Sequence, residues 1–391
     1  MTLNETTGFS LVNGGVTHQI FQKLGRCERP EQLFRRTAVA CALISWLPLL
    51  ILSVAENVAW GDKVSIPFLY DFAAYTRFLI AVPMLVMAES LIGPRLAEVA
   101  AHFIGSGRIA EENYPAYAEA VDEAVRLRDS KLGEGIVLII TLASSVTAVL
   151  TLVPTVSNWR WMTSDTGVTQ TFAAWWYVII SIPVFQFLLY RWFFRMFIWS
   201  RFLYRMSRLD LKLMPTHPDR VGGIAFVGTN QRFFAIITFA LGATFAGIYA
   251  NEIIYENISI YTIRIPMALL AFLLVFLIQL PGLFFFVMLR KAKRRGVFTY
   301  GTLALRYTSE FQEKWIDGKH PADEQLIGSS DIQSLADMGN SYSVIHDMRI
   351  VPFELRSTIW LAAAFSLPLF PLLLTVMPLN EILQTIVKLL A

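Results

Sequence analysis

Residues 265–289 read IPMALLAFLLVFLIQLPGLFFFVML, and residues 290–295 continue as RKAKRR. The first string holds no charge and exceeds the roughly 20 apolar residues needed to cross about 30 Å of hydrocarbon. The second packs Arg290, Lys291, Lys293, Arg294 and Arg295 against its end. An apolar run closed by a basic cluster predicts a membrane span and the side on which it ends, because Lys and Arg are retained on the cytoplasmic side.

Working outward, six further stretches qualify as spans: 37–57, 72–93, 134–155, 172–195, 232–252 and 357–377. Lipid offers no partner to backbone N–H and C=O groups, so each is predicted to be helical. The N-terminal tail and the segments 94–133, 191–231 and 290–356 hold five, five, seven and ten Lys and Arg; the alternate segments hold one each, Lys63, Arg160, Arg264 and Lys388. That strict alternation, 27 against 4, tests the span count as well as the orientation. The expectation is an all-α polytopic transmembrane bundle of about seven spans, with the N-terminus cytoplasmic and the C-terminus outside. Residues 1–36 form a cytoplasmic tail. Cytoplasmic helical segments lie at 94–133 and 290–356, the latter with a helix through Trp315, a loop and a second helix from about Asp331.

Composition agrees. Of 391 residues, 55% are hydrophobic and only 16% charged, where a soluble domain carries about a quarter. The 13% aromatic share suits two interfacial belts. Cys27 and Cys41 make no disulfide framework and no Cys-x-x-Cys pair. The first 36 residues hold no apolar core of signal-peptide length, so the tail reads as retained. No internal repeat is evident. The last residues place Leu379, Ile382, Leu383, Ile386 and Leu390 at helical spacing, which predicts a short amphipathic helix on the outer leaflet.

Polar groups inside spans are costly and so mark candidate sites. Glu56 and Arg77 stand at matching depths near the outer ends of the first two spans, which predicts an ion pair. Glu89, near the inner end of span two, has Arg191 or Arg195 as its candidate counter-charge. Gln186 and Gln279 lie deep in spans four and six, placed either to line an aqueous path or to bond a neighbouring helix. Thr141, Ser144, Ser145, Ala148 and Thr151 share one face of span three. Gly242, Ala243, Ala246, Gly247 and Ala250 give span five a small-residue face suited to close helix packing. Pro83, Pro183, Pro281, Pro368 and Pro371 fall inside spans, where each removes a backbone donor and kinks the helix.

Arg191, Arg195, Arg201, Arg205 and Arg208 fall within one arc of a helix otherwise rich in aromatics. They are expected to contact anionic headgroups of the inner leaflet. No nucleic-acid partner is expected. The run Pro215-Thr216-His217-Pro218-Asp219-Arg220-Val221-Gly222-Gly223 reads as a rigid elbow: proline fixes one dihedral, aspartate caps amides and the glycines permit positive φ. Its His217, Asp219 and Arg220 are the candidate catalytic residues of an enzyme reading. The flanking spans leave no room for the helices of a J domain, although His-Pro-Asp is that domain's signature.

This loop, together with Val351-Pro352-Phe353 before a proline-rich last span and Leu379-Asn380-Glu381-Ile382-Leu383 after it, resembles uncharacterised bacterial multispan inner-membrane proteins. The resemblance covers the second half of the chain. It implies a bacterial inner-membrane setting and no activity.

No phosphate loop, Rossmann glycine pattern, His-Glu-x-x-His or Gly-x-Ser-x-Gly is present, which weighs against an ATP-driven pump or zinc protease. No cofactor and no metal site are expected. The first expectation is a channel or secondary transporter for an ion or small solute, with a homo-oligomer compatible with it. The alternatives are an inner-leaflet enzyme using the His217 loop, or a scaffold docking a partner on its cytoplasmic helices.

Overall fold

The computed structural model describes residues 9–12, 14, 30–151, 157–164, 167–321, 324–326 and 328–375. The expected helix at 379–391 and the side chains of Ala148 and Thr151 lie outside them.

The chain is a helical bundle. Its elements in order are α1 (Pro30–Ala55), α2 (Phe72–Gly105), α3 (Glu111–Arg128), α4 (Lys131–Thr151), a hairpin of β1 (Trp161–Ser164) and β2 (Gly167–Gln170), α5 (Phe172–Met206), α6 (Ala225–Tyr255), α7 (Ile260–Ile316), α8 (Ser330–His346) and α9 (Leu355–Thr375). Helices α1, α2, α5, α6, α7 and α9 are each long and apolar enough to cross a membrane; α3 and α4 make a seventh candidate, bent by 44° between them. Rows of exposed apolar side chains run along α1 (Val39, Leu43, Ile51) and α7 (Ile265, Leu269, Phe272). Apolar exposure on that scale is what a bilayer covers.

The bundle has two ends. One carries the hairpin, which pairs Trp161 with Gln170 in antiparallel register. The other carries the basic segments and is here termed the basic side. At about 1.5 Å per residue, the 57 residues of α7 reach roughly 85 Å, far more than a bilayer is thick. Its second half therefore stands clear of the bundle, and α8 folds back along it. Ser329 occupies the N-cap position of α8 without a side-chain capping bond.

Helix α6 is the centre of the membrane part, because its small residues admit backbones on two sides. A methyl group at Gly242 would collide with the Phe365 carbonyl of α9, and one at Gly247 with Thr76 and the Phe72 carbonyl of α2. The small-residue face is thus used for packing. At the hairpin end, buried Asp71 ties three elements together. Its carboxylate accepts from Trp159 Nε1 at 2.7 Å, Asn251 Nδ2 at 2.7 Å and the Ala74 N–H at 3.2 Å.

On the basic side, residues 9–12 are built into the protein. Phe9, Leu11 and Val12 are buried, and Phe9 packs on Trp199 and Phe202 of α5. Arg128 donates to the Ser10 carbonyl at 2.6 Å. This part of the tail is an interior element of the basic-side layer, although its sequence marks no such role.

Candidate functional site

Two prolines shape the site. Pro83 and Pro183 lack the N–H that would bond the carbonyl four residues back, and their rings crowd it. In both helices the turn before the proline widens instead. Thr76–Ala81 and Tyr177–Ser181 are π-helical, with the Val82 N–H bonding the Arg77 carbonyl and the Ile182 N–H bonding the Tyr177 carbonyl, five residues back in each case. Such π-bulges are frequent at functional sites. The expected kinks are therefore bulges here, while Pro281, Pro368 and Pro371 sit in tightened 3₁₀ turns.

The two bulges belong to a repeat. Residues 71–83 read DFAAYTRFLIAVP and residues 171–183 read TFAAWWYVIISIP. The Asp71 carboxylate and the Thr171 hydroxyl cap the third residue of each helix, accepting from the Ala74 and Ala174 N–H groups. A cap, a short α-turn, a π-bulge and a proline thus recur at an offset of 100 residues, which corrects the impression of a sequence without repeats. The residues at the equivalent positions Arg77 and Tyr177 touch: the guanidinium donates to the Tyr177 hydroxyl at 2.6 Å. The site lies where the two repeated helices meet.

A cavity of about 210 Å³ opens at this contact. Arg77, Tyr177, Phe185 and Gln186 line it from the two bulged helices, Ser145 from α4, and Arg160, Trp161 and Gln170 from the hairpin. Gln186 lies 14 residues into α5, so the cavity reaches about 20 Å along that helix from its hairpin end. The Ser144 and Ser145 hydroxyls contact Gln186 Oε1 at 3.1 and 2.6 Å, and Ser145 also reaches the Thr141 carbonyl at 2.9 Å. Thr141 is buried and donates within its own helix, to Val137. The polar face of α4 therefore serves both purposes: it bonds a neighbouring helix and, at Ser145, borders a cavity.

Glu56 does not pair with Arg77. Its carboxylate accepts from the Phe172 and Ala173 N–H groups at 2.9 and 3.3 Å. The helix N-terminus offers unpaired N–H groups and a partial positive charge, and wins the carboxylate. Arg77 is left to Tyr177 and the Phe185 ring.

Five residues beyond Gln186, about 8 Å along α5, Arg191 Nη1 donates to Glu89 Oε1 at 2.9 Å. Arg195 Nη1 stands 3.0 Å from the same oxygen as an ion pair, without hydrogen-bond alignment. All three side chains are 5% exposed or less. This corrects the expected headgroup contact of Arg191 and Arg195: the carboxylate of α2 draws both into the protein. A second, much smaller cavity of about 20 Å³ adjoins them, lined also by Leu11, Arg128 and Glu134. Arg201 and Arg205 bind Glu123 and Glu119 of α3 at 2.9 and 2.7 Å, and Arg208 bonds the Tyr204 hydroxyl. The arginine arc of α5 mainly seats the helix that precedes α4.

The loop after α5 is an elbow. Arg220, Gly222 and Gly223 adopt positive φ, at 56°, 68° and 93°. The Asp219 carboxylate accepts from the Val221, Gly223 and Ala225 N–H groups at 2.8 to 3.0 Å, and His217 Nδ1 lies 2.9 Å from it. Partial burial opposes its ionisation, but these donors outweigh that and hold its carboxyl below the usual range. Arg220 reaches Asp347 at 3.6 Å, and its carbonyl accepts the Arg349 N–H at 2.7 Å. A side chain at Gly228 would strike the Pro352 carbonyl. The elbow thus docks the start of α6 on the segment before α9. Gln279 has a similar structural part, donating to Thr358 at 2.7 Å. Among the described residues no group of three or more His, Cys, Asp or Glu is placed to hold a metal ion.

Arg160 and Tyr177 were not singled out by the sequence as site residues. The signal that finds them is the repeat: it places Tyr177 opposite Arg77, and the hairpin preceding the second copy supplies Arg160. No family model matches the chain, and neither a curated protein nor a solved structure matches it.

Proposed function

We propose that this protein is a bacterial inner-membrane channel or secondary transporter for a small solute, with its basic side in the cytoplasm. The observation that carries the reading is the cavity at the contact of two repeated, bulged helices. Many transporters place their solute site where internal repeats meet, and π-bulged turns are frequent at functional sites. The volume falls below the ~300–1,000 Å³ of pockets for drug-sized ligands, so the solute is small. The path is asymmetric. The larger cavity lies toward the hairpin, and the buried Glu89–Arg191–Arg195 cluster follows it on α5 before the basic side. The 27 to 4 partition of basic residues supports the orientation, and the resemblance of the second half supports the inner-membrane setting.

The test is flux in liposomes loaded with a panel of ions and small organic solutes. The expected result is passage of one class, reduced by Gln186→Leu and Ser145→Val while the protein stays monodisperse. Passage of nothing under any gradient overturns the reading.

A second reading has its own observation. The second half of α7, on the side not covered by α8, exposes Phe298, Leu303 and Leu305, a surface suited to a protein partner. Crosslinking from position 298 in membranes tests it, and recovery of no reproducible product counts against it. The enzyme reading gains no such support, because the Asp219 carboxylate is taken up by three backbone N–H groups.

A further inference from the structure

We infer that the cavity between the repeated helices binds a small oxyanion, a carboxylate or a phosphate, between Arg77 and Arg160. The inference rests on reading that cavity as a solute site, and it adds the solute's charge and chemistry.

Two guanidinium groups line the cavity and, among the described residues, no carboxylate does. Among the described residues, neither arginine has an acidic side chain within ion-pair distance; Glu56, the partner expected for Arg77, is committed to the Phe172 and Ala173 N–H groups. The arginines are positioned by aromatic rings. Arg160 lies 5.1 Å over the Tyr177 ring and 5.8 Å from that of Trp159, and Arg77 lies 5.7 Å from the Phe185 ring. The Tyr177 side chain therefore stands between them, with its hydroxyl on one guanidinium and its ring face on the other.

Both Arg77 Nε and Arg160 Nε are buried donors with no acceptor among the described residues. Buried polar groups in native structures are nearly always bonded, and an orphaned one asks for a partner. Two cations brought together in a membrane protein without a counter-charge ask for an anion more strongly still. The planar fork of arginine donates in parallel to the two oxygens of a carboxylate or phosphate. Ser145 and Gln170 add neutral polar groups to the lining of the same cavity, suited to the uncharged part of a small solute. A cation would meet two like charges here, and a neutral solute would leave both uncompensated.

The experiment measures binding, not flux, so that it stands apart from the transport assay. Purified protein in a neutral detergent is titrated with inorganic phosphate, acetate, succinate, glycerol and tetramethylammonium. The readouts are intrinsic tryptophan fluorescence, which Trp159 and Trp161 place at the site, and thermal stability. At least one oxyanion is expected to bind saturably, and glycerol and tetramethylammonium are not. Arg77→Gln or Arg160→Gln should each weaken that binding by about tenfold or more, since a hydrogen bond to a charged group is lost. Arg77→Lys, which keeps the charge without the fork, should retain part of it. Size-exclusion profiles and the helical circular dichroism of each variant separate loss of the site from loss of the fold.

Repeating the measurement in nanodiscs with and without phosphatidylglycerol identifies the source of the oxyanion. Competition by the lipid assigns the site to a headgroup phosphate, and indifference to it assigns a free solute. Equal affinity of folded Arg77→Gln and wild type, or preference for the cation or the neutral probe, overturns the inference. Oxyanion binding without flux would leave this inference standing and overturn the transport reading; flux of a cation would do the reverse.

Discussion

The buried cluster of Glu89, Arg191 and Arg195 supports a quantitative prediction. Glu89→Gln keeps shape and removes the charge. Two guanidiniums, each with a side chain 5% exposed, would then face an amide. Breaking a buried ion pair by removing one partner costs about 3–5 kcal/mol, because the remaining charge stays desolvated. Glu134 adjoins the same small cavity and remains attractive to Arg191, so the lower end, about 3 kcal/mol, is the expected value. That is roughly a hundredfold in the folding equilibrium.

The internal control is Glu98→Gln. It breaks the Arg95–Glu98 pair of the same helix, whose side chains are 47% and 52% exposed. Exposed pairs contribute about 0–1 kcal/mol. The assay is unfolding in mixed micelles by titration with dodecyl sulfate, followed by circular dichroism. Glu89→Gln should shift the midpoint well beyond Glu98→Gln. Replacing Glu89, Arg191 and Arg195 together by Met should recover most of the loss, since none of the three buried charges then remains unpaired. If Glu89→Gln and Glu98→Gln shift alike, the cluster is hydrated and the argument from burial fails.

Three further outcomes are expected. Asp219→Asn should loosen the elbow and cost about 2 kcal/mol, on the scale of losing a capping carboxylate. Because the folded carboxyl is held below its ordinary value, that contribution is full above about pH 4 and is lost as pH falls through the lowered folded value. Thermal stability of wild type and Asp219→Asn should therefore differ at neutral pH and converge in strong acid. Asp71→Asn sets an amide N–H₂ against the Trp159 or Asn251 donor, at a cost of about 1–3 kcal/mol, read as a lower melting temperature and altered Trp159 fluorescence. Gly242→Leu should part α6 from α9 at a cost of about 1–3 kcal/mol or more, whereas Gly135→Leu, with open space at its Cβ, should change stability by less than the former in the same assay.

The fold class was legible because a bilayer imposes two requirements that act along the chain: some twenty apolar residues per span, and basic residues on one side. Both are local and need no knowledge of neighbours. The pairing of Glu89 with the arginines of α5 was also within reach, since matching depth confines a buried charge to few partners. Glu56 went elsewhere because depth does not say which helix N-terminus lies beside a carboxylate. Arg191 and Arg195 turned inward for a related reason. The arc they share with Arg201 and Arg205 fixes their common face, but only the packing of α2 and α3 supplies the acids that occupy it.

The repeat at 71–83 and 171–183 was present in the sequence and became legible once Arg77 and Tyr177 were seen in contact. By itself, the sequence determined a helical membrane protein, the number of its candidate spans to within one, and the basic character of one side. The tertiary structure decided that two proline-widened turns face each other, that Arg160 folds over from the hairpin to join them, and that the two cations share a cavity with no acid among the described residues that line it. Span formation depends on the free energy of each segment in lipid. The site depends on the relative rotation of three helices and a hairpin, which hydropathy does not encode.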